Sequence, residues 1–309
     1  MEYITVKQAA LKWKVTERMV RAYCIEGRIK DAVQEDKTWL IPAETKKPKG
    51  KQRRNTAHKE IVLSSMAKRI KYEREKNNHY GIYEYVQVNL TYSSNRMASN
   101  RLTREQVMEL FRTNKISGGF EPMKVDDMIE AINHFTCVRM IVDLLEEPLT
   151  QEMIKRLHTT LFYGTFADRN SAVRPGHYRS SRGKYGVFPS FINQELTNLI
   201  AEYENTEEIT FERILDFHAR FEAIQPFEDG NGRIGRLLLL KECLRFGHCP
   251  LIIDDKRRGA YNKGIAMWGK DRSGLMQVCL ETQEYFQSKY ELIKLMDYSR
   301  PPAGRGARK

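Results

Sequence analysis

Long apolar runs are missing from this sequence. No stretch of about 18 apolar residues occurs, so a membrane-spanning helix is not expected. The opening MEYITVKQAALKWKV lacks the apolar core of a secretory leader. Cysteine is scarce and shows no pairing pattern: Cys24, Cys137, Cys243, Cys249 and Cys279 are odd in number and contain no CxxC. A disulfide framework is therefore not expected, and reduced thiols in a cytoplasmic protein are. Cys243, His248 and Cys249 lie close together without a second ligand cluster, so they read as core packing rather than zinc. Neither the Walker spacing nor the dinucleotide fingerprint is present, and no internal repeat occurs.

What is there suits a soluble globular chain: 41% hydrophobic and 30% charged residues over 309 positions. The formal charge of +12 is unevenly placed. Residues 1–55 carry 14 Lys/Arg against 7 Asp/Glu, residues 300–309 carry 4 Lys/Arg and no acid, and the body between is nearly neutral. Thr5 with Gln8 forms a capping-box pattern opening a helix to about Trp13. Thr16 caps a second helix to Glu26, with Gly27 as its stop. Strands at Ala32 to Gln34 and Thr38 to Ile41 follow. This order resembles the winged helix-turn-helix modules of the excisionase and MerR type. The resemblance implies a module at 1–45 that binds DNA through Arg18, Arg21, Arg28 and Lys30, tight binding requiring a homodimer. Residues 46–56 read as a basic linker, and the PPAGRG-containing tail at 300–309 as disordered.

The body, 57–299, is patterned as helices near 80–98, 126–146, 150–162, 190–204, 208–223, 233–246 and 273–295. Its centre is Phe217 to Arg236. Ile214, Phe217, Phe221 and Ile224 fall three and four apart, one face of a helix entering a short loop. The loop reads Pro226-Phe227-Glu228-Asp229-Gly230-Asn231-Gly232-Arg233, and a second helix leaves it. Glycines let a backbone approach an anion closely, and the free N–H groups of a helix start carry partial positive charge. Arg233 and Arg236 add fixed charge, and Asp229 is placed to hold Mg²⁺ against bound phosphates. These residues form a polyphosphate cradle.

Phe227, Asp229, Gly230, Asn231, Gly232, Arg233 and Arg236 match the Fic signature, His-x-Phe-x-Asp/Glu-Gly-Asn-Gly-Arg-x-x-Arg. The stretch closely resembles that family, with Gln225 where the family has its catalytic histidine. Ser94 to Ser99 resembles the inhibitory Ser/Thr-x-x-x-Glu-Gly/Asn helix that precedes many Fic cores. Ser94 matches, and Ala98 stands at the glutamate position. Residues 174–189, rich in Gly, Ser and Arg, resemble the Fic flap, a hairpin that aligns a target segment by strand addition.

The resemblance implies a mainly α fold: a Fic-type helical core with a short β-hairpin flap. It also implies transfer of AMP from ATP to a Tyr, Ser or Thr hydroxyl of a target protein, self-modification included. Gly230, Asn231, Gly232, Arg233 and Arg236 would then bind phosphate, Asp229 would hold Mg²⁺, and Tyr261 and Asn262 would contact adenosine. Glu228 would be a solvated spectator, and Phe227 would anchor the loop in the core. Because alanine accepts nothing from a guanidinium, Arg236 is expected to be free for ATP. Because an amide has no basic site near neutral pH, the chain is expected to bind ATP–Mg²⁺ and transfer AMP poorly. Two other readings stay open: a DNA-binding regulator using the body as a nucleotide sensor, and transfer of another phosphate-containing group.

Overall fold

The computed structural model describes residues 3–25, 28–29, 31–35, 38–48, 61–76, 80–117 and 123–298. Gly27, Lys30, most of the expected linker and the expected tail at 300–309 lie outside these residues. The chain forms two compact units, Met1–Lys59 and Glu60–Lys309.

In the first unit the capping box forms as its residues dictate. Thr5 Oγ1 accepts from Gln8 N, and Gln8 Oε1 accepts from Thr5 N, opening α1 (Val6–Trp13). Lys14, in the left-handed region at φ 54°, turns the chain into α2 (Glu17–Ile25). Two of the strands were expected, β2 (Val33–Glu35) and β3 (Thr38–Pro42). A third, β1 (Tyr3–Thr5), was not; it pairs antiparallel with β3, Ile4 opposite Ile41. The sheet order is β1-β3-β2, and Val6, Ala9, Trp13, Val20, Tyr23 and Ile41 form its small core with the helices. Arg18 is exposed on α2. Arg21 pairs with Glu17 at 3.1 Å, and the Arg28 guanidinium lies over the Tyr23 ring.

The second unit is built round α11 (Asn231–Arg245), buried along almost its whole length. A helix covered on every side must neutralise whatever polar groups it carries. Lys241 does so on Glu242 and the Glu147 carbonyl, and Arg245 on Glu204 and Glu242. Around α11 pack α3 (Ser65–Glu75), α4 (Ile82–Met97), α6 (Val125–Asp143), α7 (Gln151–Phe162) and α10 (Phe211–Ile224). Outside these lie α5 (Arg104–Thr113), the short α8 (Phe166–Arg169), α9 (Pro189–Glu204), α12 (Arg258–Met267) and α13 (Ser273–Tyr298). The helices read from periodicity all occur, with ends shifted by up to three residues. Separate helices at α3, α5, α8 and α12 were not read from the pattern. No helix among the described residues is long and apolar enough to cross a membrane.

One contact fixes where α4 starts. Its N-cap is Gly81, which offers no side chain to the orphan N–H groups of the first turn. The buried Glu73 of α3 supplies the acceptor instead, taking Tyr83 N at 2.8 Å while Arg69 Nε holds its other oxygen at 2.7 Å. Glu73→Gln should therefore lower the unfolding free energy by about 1–3 kcal/mol, measured by urea denaturation. An unchanged midpoint would show that water replaces the carboxylate without loss.

Candidate functional site

The open end of the central helix is its N-terminus. Here α10 stops at Gln225, whose backbone adopts φ 50°, ψ 65°, a left-handed cap uncommon for a non-glycine residue. The chain then dives to bury Phe227, stacked on His158 with ring centroids 3.8 Å apart. Asn231 closes the loop with its carboxamide: Oδ1 accepts from Phe227 N, and Nδ2 donates to Phe227 O, each at 2.9 Å. Nδ2 also donates to Gln225 Oε1 at 3.1 Å. Gly230 has φ 78°, and a Cβ there would stand 2.5 Å from Phe162 Cε2; only glycine fits. No side chain caps α11, and its first backbone bond is Ile234 N to Gly230 O. The N–H groups of Asn231, Gly232 and Arg233 precede that bond and form the positive pole of the helix dipole.

Asp229 holds Gly230 N with Oδ1 at 2.5 Å and leaves its side chain 64% exposed. It is a lone carboxylate: no group of three or more His, Cys, Asp or Glu among the described residues could hold a metal by itself. A site sharing one carboxylate with phosphate oxygens suits Mg²⁺, which needs no protein cage. Arg233 lies beneath the loop, 2% exposed, between Glu130 Oε1 at 3.1 Å and Asp229 Oδ2 at 3.3 Å, over the Phe162 ring. Its charge is paired with these two carboxylates, and its Nε makes no hydrogen bond. Glu228 is partly buried against Arg174 at 3.4 Å, not a solvated spectator.

The expectation that Arg236 is free also needs correction. Its Nε donates to Ser94 Oγ at 3.1 Å and its Nη2 to Ser94 O at 3.0 Å. Ala98 caps α4 at its exposed end. The last four carbonyls of a helix lack intrahelical donors and form its negative pole. Ser94 O is one of them, and Arg236 satisfies it. Arg258 Nη2 satisfies another, Met97 O, at 3.4 Å.

Tyr261 lies away from the surface. It is 1% exposed, and its hydroxyl meets His218 Nε2 at 2.5 Å. His218 Nδ1 faces the Gly235 carbonyl, so Nδ1 carries the proton and Nε2 accepts from the tyrosine. A buried ring offers no face for adenine, which removes the stacking role. Asn262, its neighbour on α12, is exposed. Gln225 Nε2 donates to the Glu222 carbonyl at 2.6 Å and lies 3.5 Å from Glu222 Oε2. Burial pushes the Glu222 carboxyl up from its ordinary value.

The segment resembling a flap doubles back over Gln225. Its ends are tied by Arg179 N to Pro226 O and Val187 N to Ile224 O. The buried Arg179 side chain joins them, donating to the carbonyls of Gln225, Ser181 and Val187. This closure replaces a ladder, since the three-stranded sheet of the first unit is the one formed among the described residues.

Sequence reading missed His158, Glu130, Arg179 and Glu222. His158 takes Gly176 N on Nδ1 at 2.9 Å, so Nε2 carries its proton and donates to Asp229 O at 3.2 Å. Its only signal was a histidine on the apolar face of a helix.

Residues 148–243 match the family model described as the Fic/DOC family. A probable protein adenylyltransferase of Aquifex aeolicus (strain VF5) is 26% identical over 157 residues, covering 45% of this chain and 47% of that protein. The chain thus spans about half the length of this curated relative. Among solved structures, a Fic domain containing signaling protein from Bacteroides thetaiotaomicron superposes with TM-score 0.59 at 20% identity. It covers 78% of this chain and 100% of that one. Fic-1 of C. elegans (residues 134–508) gives TM-score 0.60 at 20% identity, over 76% and 73% of the two chains. The second unit therefore has the Fic-type helical fold, and its residues 148–243 match the Fic/DOC family model.

Three buried histidines surround this site. Burial first, with the nearby arginine charges adding to it, lowers His134 and His218 to about 3; burial likewise lowers His158 to about 4. Each binds a proton more weakly folded than unfolded, so its contribution is complete above the unfolded value near pH 6.5 and is lost as pH falls through the folded value. Glu222, raised by burial, acts in the opposite direction and offsets part. Unfolding free energy should fall between pH 7 and 5 by up to about 1.4 kcal/mol per pH unit for each histidine, with proton uptake on unfolding. A flat urea midpoint across that window would contradict the neutral histidines.

Proposed function

We propose that this chain binds ATP–Mg²⁺ at the start of α11 and is an AMP transferase of the Fic type whose base position is silent. The observation that carries this reading is the uncapped N-terminus of a buried fifteen-residue helix, beside an exposed carboxylate, under a folded-over loop. The description of the Aquifex aeolicus relative as a probable protein adenylyltransferase supports the same class.

In the reaction a protein hydroxyl oxygen bonds the α-phosphorus as the bond to the bridging oxygen breaks, and pyrophosphate leaves. The N–H groups of Asn231, Gly232 and Arg233 would stabilise the charge that develops on the phosphate. Asp229 would hold Mg²⁺, which neutralises charge on the phosphate oxygens. Arg233 would act from beneath, keeping Asp229 and Glu130 in place. Arg236 would reach a phosphate by exchanging its two bonds to Ser94 for bonds to the nucleotide, so the α4 terminus competes with ATP. Asn262 would stand nearest adenosine. The hydroxyl proton would be due to leave at position 225, and the Gln225 amide cannot take it; a positioned base typically contributes about 10²–10⁴-fold.

The direct test compares transfer of α-labelled AMP by this chain and by its Gln225→His variant. Label should appear about 10²–10⁴-fold faster with histidine; equal rates would sink the assignment of the base position. ATP affinity measured by calorimetry should rise severalfold in Ser94→Ala and fall in Asp229→Ala in the presence of Mg²⁺. No ATP binding by the intact chain would remove the nucleotide reading itself.

A further inference from the structure

The second unit contains a cavity of about 210 Å³ that shares no lining residue with the α11 cradle. Tyr85, Asn89, Tyr92 and Ser93, at i, i+4, i+7 and i+8, lie on one face of α4 and form one wall. Tyr285 and Phe286 of α13 contribute another, and Arg104, the first residue of α5, completes the lining. The Tyr85 and Phe286 rings meet edge to face, centroids 5.7 Å apart. Tyr285 is exposed at the mouth. Aromatic walls round so small a volume favour a flat apolar body. At about 30 Å³ per water the space equals about seven waters, which suits a single ring with its substituent.

The substituent follows from the hydrogen bonds that the walls leave unmade. Asn89 is engaged at both ends: Nδ2 donates to Tyr85 O and Oδ1 accepts from Arg104 Nε, each at 2.7 Å. The Ser93 and Thr282 hydroxyls donate to the carbonyls of Leu90 and Val278. Asp254 is neutralised by Arg257, which donates to it from both backbone and guanidinium. Two donors remain. The Tyr85 hydroxyl meets no partner among the described residues. Burial, and then the neighbouring Tyr285, pushes it up to about 12, so it keeps its proton. The Arg104 guanidinium bonds only the neutral Asn89 among the described residues, leaving its charge without a carboxylate and both Nη groups unengaged. A guanidinium fork matches a carboxylate with two parallel bonds. Asp254 lines the same cavity and Asp255 lies 3.5 Å from the Tyr92 hydroxyl, so a dianionic phosphate is repelled more than a monoanion.

We infer that this cavity binds a small aromatic carboxylate, its ring among Tyr85, Tyr92, Tyr285 and Phe286 and its oxygens on Arg104 and the Tyr85 hydroxyl. The bound acid braces the last turns of α4, because Ser93 lines the cavity and the next residue, Ser94, holds Arg236. The consequence for the transfer site rests on the ATP-binding reading, in which Arg236 leaves Ser94 for a phosphate. On that reading the acid opposes the nucleotide, and by linkage the nucleotide opposes the acid by the same factor.

The test titrates the intact chain calorimetrically with benzoate, benzamide, benzamidine and phenyl phosphate, one ring carrying in turn a carboxylate, a neutral amide, a cation and a dianion. Benzoate should bind about tenfold more tightly than each of the others. Arg104→Gln should remove that preference and Tyr85→Phe should weaken benzoate severalfold, whereas Lys270→Gln, an equal loss of charge elsewhere, should change neither. No saturable benzoate binding overturns the inference, as does equal binding of benzamide, tighter binding of benzamidine or phenyl phosphate, or a preference that survives Arg104→Gln. ATP is then titrated with and without saturating benzoate, and its affinity should fall severalfold when benzoate is present. Benzoate selection with unchanged ATP affinity overturns the opposition between the two ligands and upholds the site. Failed benzoate selection with intact ATP binding sinks this inference and leaves the nucleotide reading standing; benzoate selection without any ATP binding upholds the cavity as a site and sinks the nucleotide reading.

Discussion

A single buried cation ties the site together. Arg233 is 2% exposed, and a guanidinium in that position is tolerable only if surrounding groups replace the water it has lost. Glu130 comes from α6, Asp229 from the loop and the Phe162 ring from α7, so one side chain on α11 fixes three other elements. Glu130 in turn accepts from Asn100 Nδ2 at 3.1 Å, just beyond the end of α4. The loop carboxylate, the central helix and the α4 terminus are therefore parts of one electrostatic unit. Removing either carboxylate would weaken the hold on a charge that has nowhere else to go.

The second organising force is the choice of the buried histidines to stay neutral. His158 and His218 each have one nitrogen matched to a donor and the other to a carbonyl, so their tautomers are fixed by geometry rather than by charge. His158 thereby supports the floor of the loop through Phe227 and Asp229, and His218 supports the opposite wall through Tyr261 and Gly235. Neutral rings do this without adding repulsion to a site already crowded with arginine.

Much of this was legible in local sequence. Thr5 with Gln8 specified a helix start, Ile214 to Ile224 specified the helix entering the loop, and the two glycines round Asn231 specified the tight turn from which the next helix starts. Those signals act within a few residues, where chemistry and spacing leave little choice. Partners drawn from distant helices were not legible: Glu73 for Tyr83, Glu130 for Arg233, Ser94 for Arg236. Tyr261 shows the limit most clearly, because a tyrosine near a nucleotide site can stack on a base or bury its ring and bond its hydroxyl inward. Only the packing of α12 on α10 decides for the second.

The backbone at position 225 carries one more consequence. Its left-handed conformation ends α10, with Arg179 holding its carbonyl and its own amide bonded to the Glu222 carbonyl and to Asn231. Histidine is among the non-glycine residues most tolerant of that region, so glutamine and histidine can exchange there without rebuilding the turn. In the genetic code these two amino acids differ by a change in the third base. On the proposed reading of position 225, a form without a base and a form with one thus stand one nucleotide apart on a common scaffold.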